Sequence, residues 1–259
     1  MRKIPVAVQM YTLREEAEKD FAGTLRKVAE LGYDGVEFAG FGGLSAQEVK
    51  GLIEELGLQA VSAHIPLPEL EGNLEKVIND LKTVGIQYAV CPYLPLELRN
   101  EEFYLSMIPS LNKIGETLKA EGITLCYHNH DFELQPLSDG RTALETIFED
   151  TDSNALNTEL DVYWLSKAGE NPVRWLNRYA GRSPLVHLKD MTADEEQFFA
   201  ELGTGSIDLN AILDAGQEAG VQWWIVEQDA CRRDPFESVE ISLNYLRAQL
   251  PYLSEKVKG

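Results

Sequence analysis

Positive charge is scarce in this sequence. Lys and Arg total 23 against 43 Asp and Glu, a formal net charge of −20 at pH 7 over 259 residues. A polyanion of that size is repelled by nucleic-acid backbones and anionic membrane surfaces, which disfavours both as partners. Cysteine is scarcer: Cys91, Cys126 and Cys231 are odd in number, widely spaced and contain no CxxC pair, so they read as free thiols of a reducing compartment. Nothing approaches the ~18 consecutive apolar residues of a membrane helix. The basic-then-apolar start Met1-Arg2-Lys3-Ile4-Pro5-Val6-Ala7-Val8 is interrupted by Gln9 and Thr12-Leu13-Arg14 before a signal-peptide core develops. The expectation is a soluble, cytoplasmic protein. Linkers, low-complexity tracts and composition shifts are also missing, so residues 1–259 are expected to form a single domain.

What is present is a repeat. An amphipathic stretch ends in glycine, and within a few residues a short apolar run begins. It appears as Leu31-Gly32-Tyr33-Asp34-Gly35-Val36-Glu37-Phe38, as Leu56-Gly57 before Val61-Ser62-Ala63-His64, and as Val84-Gly85 before Tyr88-Ala89-Val90-Cys91. It returns as Gly122-Ile123-Thr124-Leu125-Cys126-Tyr127 and as Gly220-Val221-Gln222-Trp223-Trp224-Ile225-Val226-Glu227. A helix stopped by glycine and a strand buried on both faces explain the unit. Runs near 5–11, 157–163 and 184–189 bring the candidate strands to eight. Helix-start signals accompany them, as at Ser45 before Ala46-Gln47-Glu48 and at Asp234 before Pro235. Eight βα units in about 250 residues is the arithmetic of a single (β/α)8 TIM barrel. An open doubly wound sheet is the competitor, but Gly40-Phe41-Gly42-Gly43 lacks the GxGxxG spacing of a dinucleotide site.

In a barrel, polar functional residues belong at the C-terminal ends of the strands. The four histidines obey this: His64 ends the third run, His128 and His130 the fifth, and His187 lies in the seventh. Glu37, Asp161 and Glu227 join them in otherwise apolar company. A buried carboxylate without a partner costs several kcal/mol, so a cation or metal is expected at Asp161 and Glu227. Carboxylates and imidazoles meeting at one mouth make a mixed donor set suited to Mn²⁺, Zn²⁺, Co²⁺ or Fe²⁺.

The runs Asp161-Val162-Tyr163-Trp164, Val186-His187-Leu188-Lys189-Asp190, Leu202-Gly203-Thr204-Gly205-Ser206-Ile207-Asp208 and Val226-Glu227-Gln228-Asp229 resemble the sugar phosphate isomerase/epimerase family. This family belongs to the xylose isomerase-like TIM-barrel superfamily, which also holds ketose 3-epimerases, inosose dehydratase and endonuclease IV. The resemblance implies a divalent metal held by a strand-five Glu, a strand-six Asp, a strand-seven His and a strand-eight Glu. Asp161, His187 and Glu227 match the last three. Strand five, Leu125-Cys126-Tyr127-His128-Asn129-His130, ends without a Glu; His128 is the expected substitute ligand and His130 the runner-up.

The activity so implied is isomerisation or epimerisation of a sugar or polyol, by proton removal beside a carbonyl through an enediolate. The missing strand-five Glu weakens a symmetric two-glutamate shuttle and adds weight to a lyase that dehydrates a keto-sugar or keto-inositol. A non-catalytic sugar-binding barrel is a third reading, while endonuclease activity fits neither four histidines nor the charge. Glu227 is expected as ligand and base, and His64 and His130 as acid/base or hydroxyl-binding groups. Lys189, on the same strand side as His187, is expected to steady an enolate oxygen or, more simply, to pair with Asp190. Gln9, Glu37, Trp164 and Arg232 are expected substrate contacts, Gly203-Thr204-Gly205 a backbone cradle or plain turn, and a homo-oligomer the expected assembly.

Overall fold

Four helices, Phe21–Leu31, Ala46–Leu56, Leu74–Val84 and Leu209–Ala219, stop at Gly32, Gly57, Gly85 and Gly220, each in the left-handed region. A side chain with Cβ enters that region only at a cost, so glycine releases the chain toward the next strand. At the other ends, Ser45 forms a reciprocal capping box with Glu48, and Asp234 caps the helix that Pro235 opens.

In the computed structural model, which describes residues 3–250, these units close into a barrel; Met1 and Arg2 of the basic start lie outside the described residues, as do 251–259. The barrel strands are β1 (Val6–Gln9), β2 (Gly35–Phe38), β3 (Gln59–His64), β4 (Tyr88–Cys91), β5 (Thr124–His128), β6 (Leu156–Asp161), β7 (Leu185–Leu188) and β8 (Trp223–Val226). All neighbours are parallel, and β8 closes against β1. The (β/α)8 expectation holds. Between β2 and β3 the register slips by a bulge, and at Gly35 a Cβ would stand 2.6 Å from the Gln59 carbonyl.

Two boundaries differ from the sequence reading. The sixth strand, expected to reach 163, ends at Asp161, whose side chain accepts the Trp164 N–H at 3.0 Å and so starts the helix Val162–Lys167. After β7 an antiparallel ribbon pairs Asp190–Met191 with Phe199–Ala200. Asp190 anchors that loop by accepting the backbone N–H groups of Gly203, Gly205 and Ile207. The Gly203 and Gly205 amides are therefore committed to the Asp190 carboxylate and the Thr204 amide to the Glu201 carbonyl, and the alternative of a cradle for substrate gives way to a turn. The expected Lys189–Asp190 pair is also absent, because Asp190 faces its own loop.

The main core lies between strands and helices, and a smaller apolar cluster fills the lower barrel interior with Ala7, Val90, Cys126, Leu185 and Ile225 among its members. Two residues further along four of these strands stand Gln9, His128, His187 and Glu227. Side chains two apart point to the same face of a strand. The interior thus changes from apolar to polar within a single step.

Candidate metal and acid/base site

Period-two alternation brings Glu159 and Asp161 of β6 to the same inward face, and strand register sets His128 beside Glu159 and His187 beside Asp161. The result is two stacked groups of donors that share two imidazoles.

In the outer group, Lys189 Nζ lies 2.5 Å from Asp229 Oδ1, 2.6 Å from Glu227 Oε2 and 2.9 Å from Asp161 Oδ2. His187 Nδ1 is 2.8 Å from Glu227 Oε2, and His128 Nε2 is 3.8 Å from Asp161 Oδ2. In the inner group, Glu37 accepts from Gln9 at 2.7 Å and from Ser62 at 2.5 Å, and lies 2.6 Å from His187 Nε2. Glu159 Oε2 is 2.9 Å from His64, 3.2 Å from His128 Nδ1 and 3.3 Å from His187 Nε2.

Burial opposes charge throughout this layer, and the partners decide the outcome. Burial works against the Lys189 ammonium, yet Asp161, Asp229 and Glu227 hold its pKa well above the usual value. Glu227 is pushed up by burial but pulled down further by Lys189 and His187, so it stays ionised. His64 is disfavoured as a cation by burial, but Glu37 and Glu159 raise it to about 10. His128 and His130 go the other way: burial first, then neighbouring positive groups, holds both well below the ordinary imidazole value. Glu159 is raised to about 8 by burial and by Glu37.

Four buried carboxylates (Glu37, Glu159, Asp161, Glu227) and the partly exposed Asp229 therefore share one lysine, and protons on His64 and His187 supply the remaining positive charge. Ligand nitrogens must be deprotonated to bind a metal, so a dication would replace those protons in the same role. One ligand atom from each of His128, Asp161, His187 and Glu227 lies within 4.8 Å of the others, as does one from each of His64, His128, Glu159 and His187. His128 Nδ1 and Glu159 Oε1 are buried and lack hydrogen bonds. Asp161 Oδ2 also lacks a hydrogen bond of good geometry, although it lies within ion-pair distance of Lys189. The residues fit a divalent ion.

Above the donors opens a cavity of about 830 Å³, lined by His64, His128, His130, Trp164, Lys189 and Glu227, with Tyr93 and Arg99 at its side. His130 sits among the rings of Tyr93, Phe132 and Trp164. Its backbone N–H donates to Glu133, which also accepts from Tyr127 Oη. The Arg99 guanidinium stacks 3.7 Å above the Phe132 ring and donates Nε–H to the Leu94 carbonyl.

The expected residues thus fall into three places. His64, His128, His130, Trp164, Lys189 and Glu227 reach the cavity, and Asp161 and His187 lie just below it. Gln9 and Glu37 are fully buried, bonded to each other and absent from the cavity lining, and they brace the inner group. Arg232 pairs with Glu196 over the Phe198 ring and does not line the cavity, because the acidic loop after β7 draws it aside. Lys189 lines the cavity, but its ammonium lies within ion-pair distance of three carboxylates and is paired within the site.

Sequence reading passed over Glu159, Asp229, Tyr93 and Arg99. Glu159 carried a usable signal, since it stands two residues before Asp161 in a buried run. Tyr93 and Arg99 lie on an irregular Pro-containing segment with no periodicity to follow.

A closed parallel barrel with carboxylates and imidazoles at the C-terminal mouth makes this a (β/α)8 barrel whose donor set could hold a metal ion. The family model for xylose isomerase-like TIM barrels matches residues 25–249, and the chain belongs to that family. An inosose dehydratase of Clostridium beijerinckii is 29% identical over 167 residues, covering 57% of this chain and 55% of that protein. The match thus spans about half the length of that curated relative. The crystal structure of a sugar phosphate isomerase/epimerase from Parabacteroides distasonis superposes with a TM-score of 0.83 at 25% identity, over 98% of this chain and 96% of that one. The IOLI protein, solved with a binding zinc atom, shares the fold at 16% identity with a TM-score of 0.75, over 96% and 99% of the two chains. No helix among the described residues is long and apolar enough to cross a membrane.

Proposed function

We propose that this chain is a divalent-metal-dependent isomerase or epimerase that removes a proton next to the carbonyl of a small sugar or polyol. One observation carries the reading: an imidazole kept neutral and an imidazole kept protonated border the same cavity as the donor set. His128, Asp161, His187 and Glu227 would hold the ion, which when bound supplies a Lewis acid for the carbonyl and an adjacent hydroxyl. Glu37 accepts the second ring N–H of His187 and turns the other nitrogen toward that set, the usual outer support of a metal-binding histidine.

His130 takes the substrate proton. Its ring borders the cavity, and burial together with Lys189 leaves it free of charge at neutral pH. Glu227, held ionised by Lys189 and His187, serves as ligand and not as base. Tyr93, Phe132 and Trp164 fix the plane of the His130 ring.

A second reading, dehydration, draws on His64. This protonated ring borders the cavity and can deliver a proton to a departing β-hydroxyl, which suits the resemblance to inosose dehydratases. Incubating keto-sugars and inosose in D2O with Mn²⁺ separates the two. Deuterium incorporation without loss of water supports epimerisation or isomerisation, and enone formation supports the lyase. No exchange across the panel refutes both. His130→Asn should slow exchange by about 10²–10⁴-fold with an unchanged melting temperature.

A further inference from the structure

Glu159 has no part in the proposed reaction, yet with the three imidazoles around it the inner donor group meets the requirements of a cation site by itself. We infer that His64, His128, Glu159 and His187 form an inner seat for a divalent ion, alternative to the outer seat of His128, Asp161, His187 and Glu227. The inference shares two ligands with the proposed site but does not depend on the proposed chemistry.

The spacing supports it. Glu159 Oε2 stands 2.9, 3.2 and 3.3 Å from nitrogens of His64, His128 and His187. Donors about 2.0–2.2 Å from a tetrahedral Zn²⁺ are roughly 3.3–3.5 Å apart, so the inner shell closes with small side-chain movements. Charge supports it too. Lys189 lies against Asp161 and Glu227 of the outer seat, whereas Glu37 and Glu159 form ion pairs only with imidazoles among the described residues. His128 Nδ1 and Glu159 Oε1 are buried there without hydrogen bonds.

The shared rings make the seats exclusive. His187 presents Nδ1 to Glu227 and Nε2 to Glu37, and His128 presents Nε2 toward Asp161 and Nδ1 toward Glu159. A neutral imidazole has one lone pair for a metal, so each ring serves one seat at a time. The other nitrogen then keeps its proton and points to the carboxylates of the empty seat. Glu159 and His187 are fully buried and His128 nearly so, and His64 alone brings the inner seat more than marginally into contact with the cavity, which leaves this seat deeper than the outer one. The outer seat borders the cavity and keeps room for substrate.

Zn²⁺ titration by calorimetry, with metal content after dialysis, tests this on four folded proteins. Wild type is expected to take one ion per chain. The outer-defective variant (Asp161→Asn with Glu227→Gln) should still take one and show a Zn²⁺-dependent rise in melting temperature. The inner-defective variant (His64→Asn with Glu159→Gln) should also take one, and the fourfold variant none. An outer-defective variant that is folded by circular dichroism but takes no Zn²⁺ overturns the inner seat and leaves the proposed site standing. Two ions in wild type overturn the exclusivity. Loss of the ion only in the inner-defective variant would keep the inner seat and remove the outer one, so the proposed function would fail instead. Single Asp161→Asn and Glu159→Gln variants repeat the comparison where a double does not fold.

Discussion

The lower and upper halves of the barrel interior are built on the same strands, two residues apart, yet they hold together by different physics. Below, Cys126, Leu185 and Ile225 pack as an apolar plug that asks nothing of its surroundings beyond exclusion of water. Above, His128, His187 and Glu227 are as deeply buried but stand only because each charge meets a partner. The plug is tolerant of chemistry and sensitive to volume; the polar layer is the reverse. Functional capacity is concentrated where removing one partner strands another.

The largest effect should come from removing the cation of the upper layer. Lys189→Met leaves the buried Asp161 and Glu227 without their ammonium, at a cost of about 3–5 kcal/mol in metal-free protein. Urea unfolding should show that loss, and saturating Zn²⁺ should recover much of it; an equal loss with and without Zn²⁺ would break the contrast between the halves. In the plug, Leu185→Ala should cost about 2–5 kcal/mol by cavity formation, with Zn²⁺ affinity unchanged in a titration. Altered affinity there would show that the halves are coupled.

Glu133 sharpens the comparison from outside the barrel interior. It is a fully buried carboxylate that no Lys or Arg pairs among the described residues, and burial pushes it up to about 7 from the ordinary 4.5. The folded chain therefore retains this proton longer than the unfolded one, so stability declines as pH rises from about 4.5 to about 7. The penalty above that window is on the order of 3 kcal/mol. Glu159, raised to about 8, adds a decline of the same sign, so denaturation across pH 4.5–8 should show a shallower slope in Glu133→Gln than in wild type; an identical slope in both would remove Glu133 as a source. The smallest effect belongs to the surface: Ser45→Ala, which breaks the capping box with Glu48, should lower stability by about 1 kcal/mol with no change in metal binding or exchange.

Much of this was legible along the chain. The glycine stops at Gly32, Gly57, Gly85 and Gly220 and the caps at Ser45 and Asp234 are local events, decided by φ and by nearby side chains, and they emerged where the sequence placed them. The gathering of four histidines at strand ends was visible for the same reason, since strand parity is a local rule. Arg232 was not legible in this way, because its partner Glu196 arrives from another loop. Lys189 follows directly on the end of β7, but its three carboxylates come from β6 and from the segment just after β8.

Amino-acid order alone determined the alternation of strand and helix, the glycine breaks and the side of each strand on which a polar group falls, because backbone sterics and a period of two act between neighbours in the chain. Only closure of the barrel decided which carboxylate neutralises which cation, that Gln9 and Glu37 are buried against each other below the cavity, and that two rings are shared between two donor groups. Those outcomes depend on strand register and on distances of a few ångströms between residues up to 150 positions apart, as for Glu37 and His187. Electrostatic energies in a dry interior change steeply over such distances.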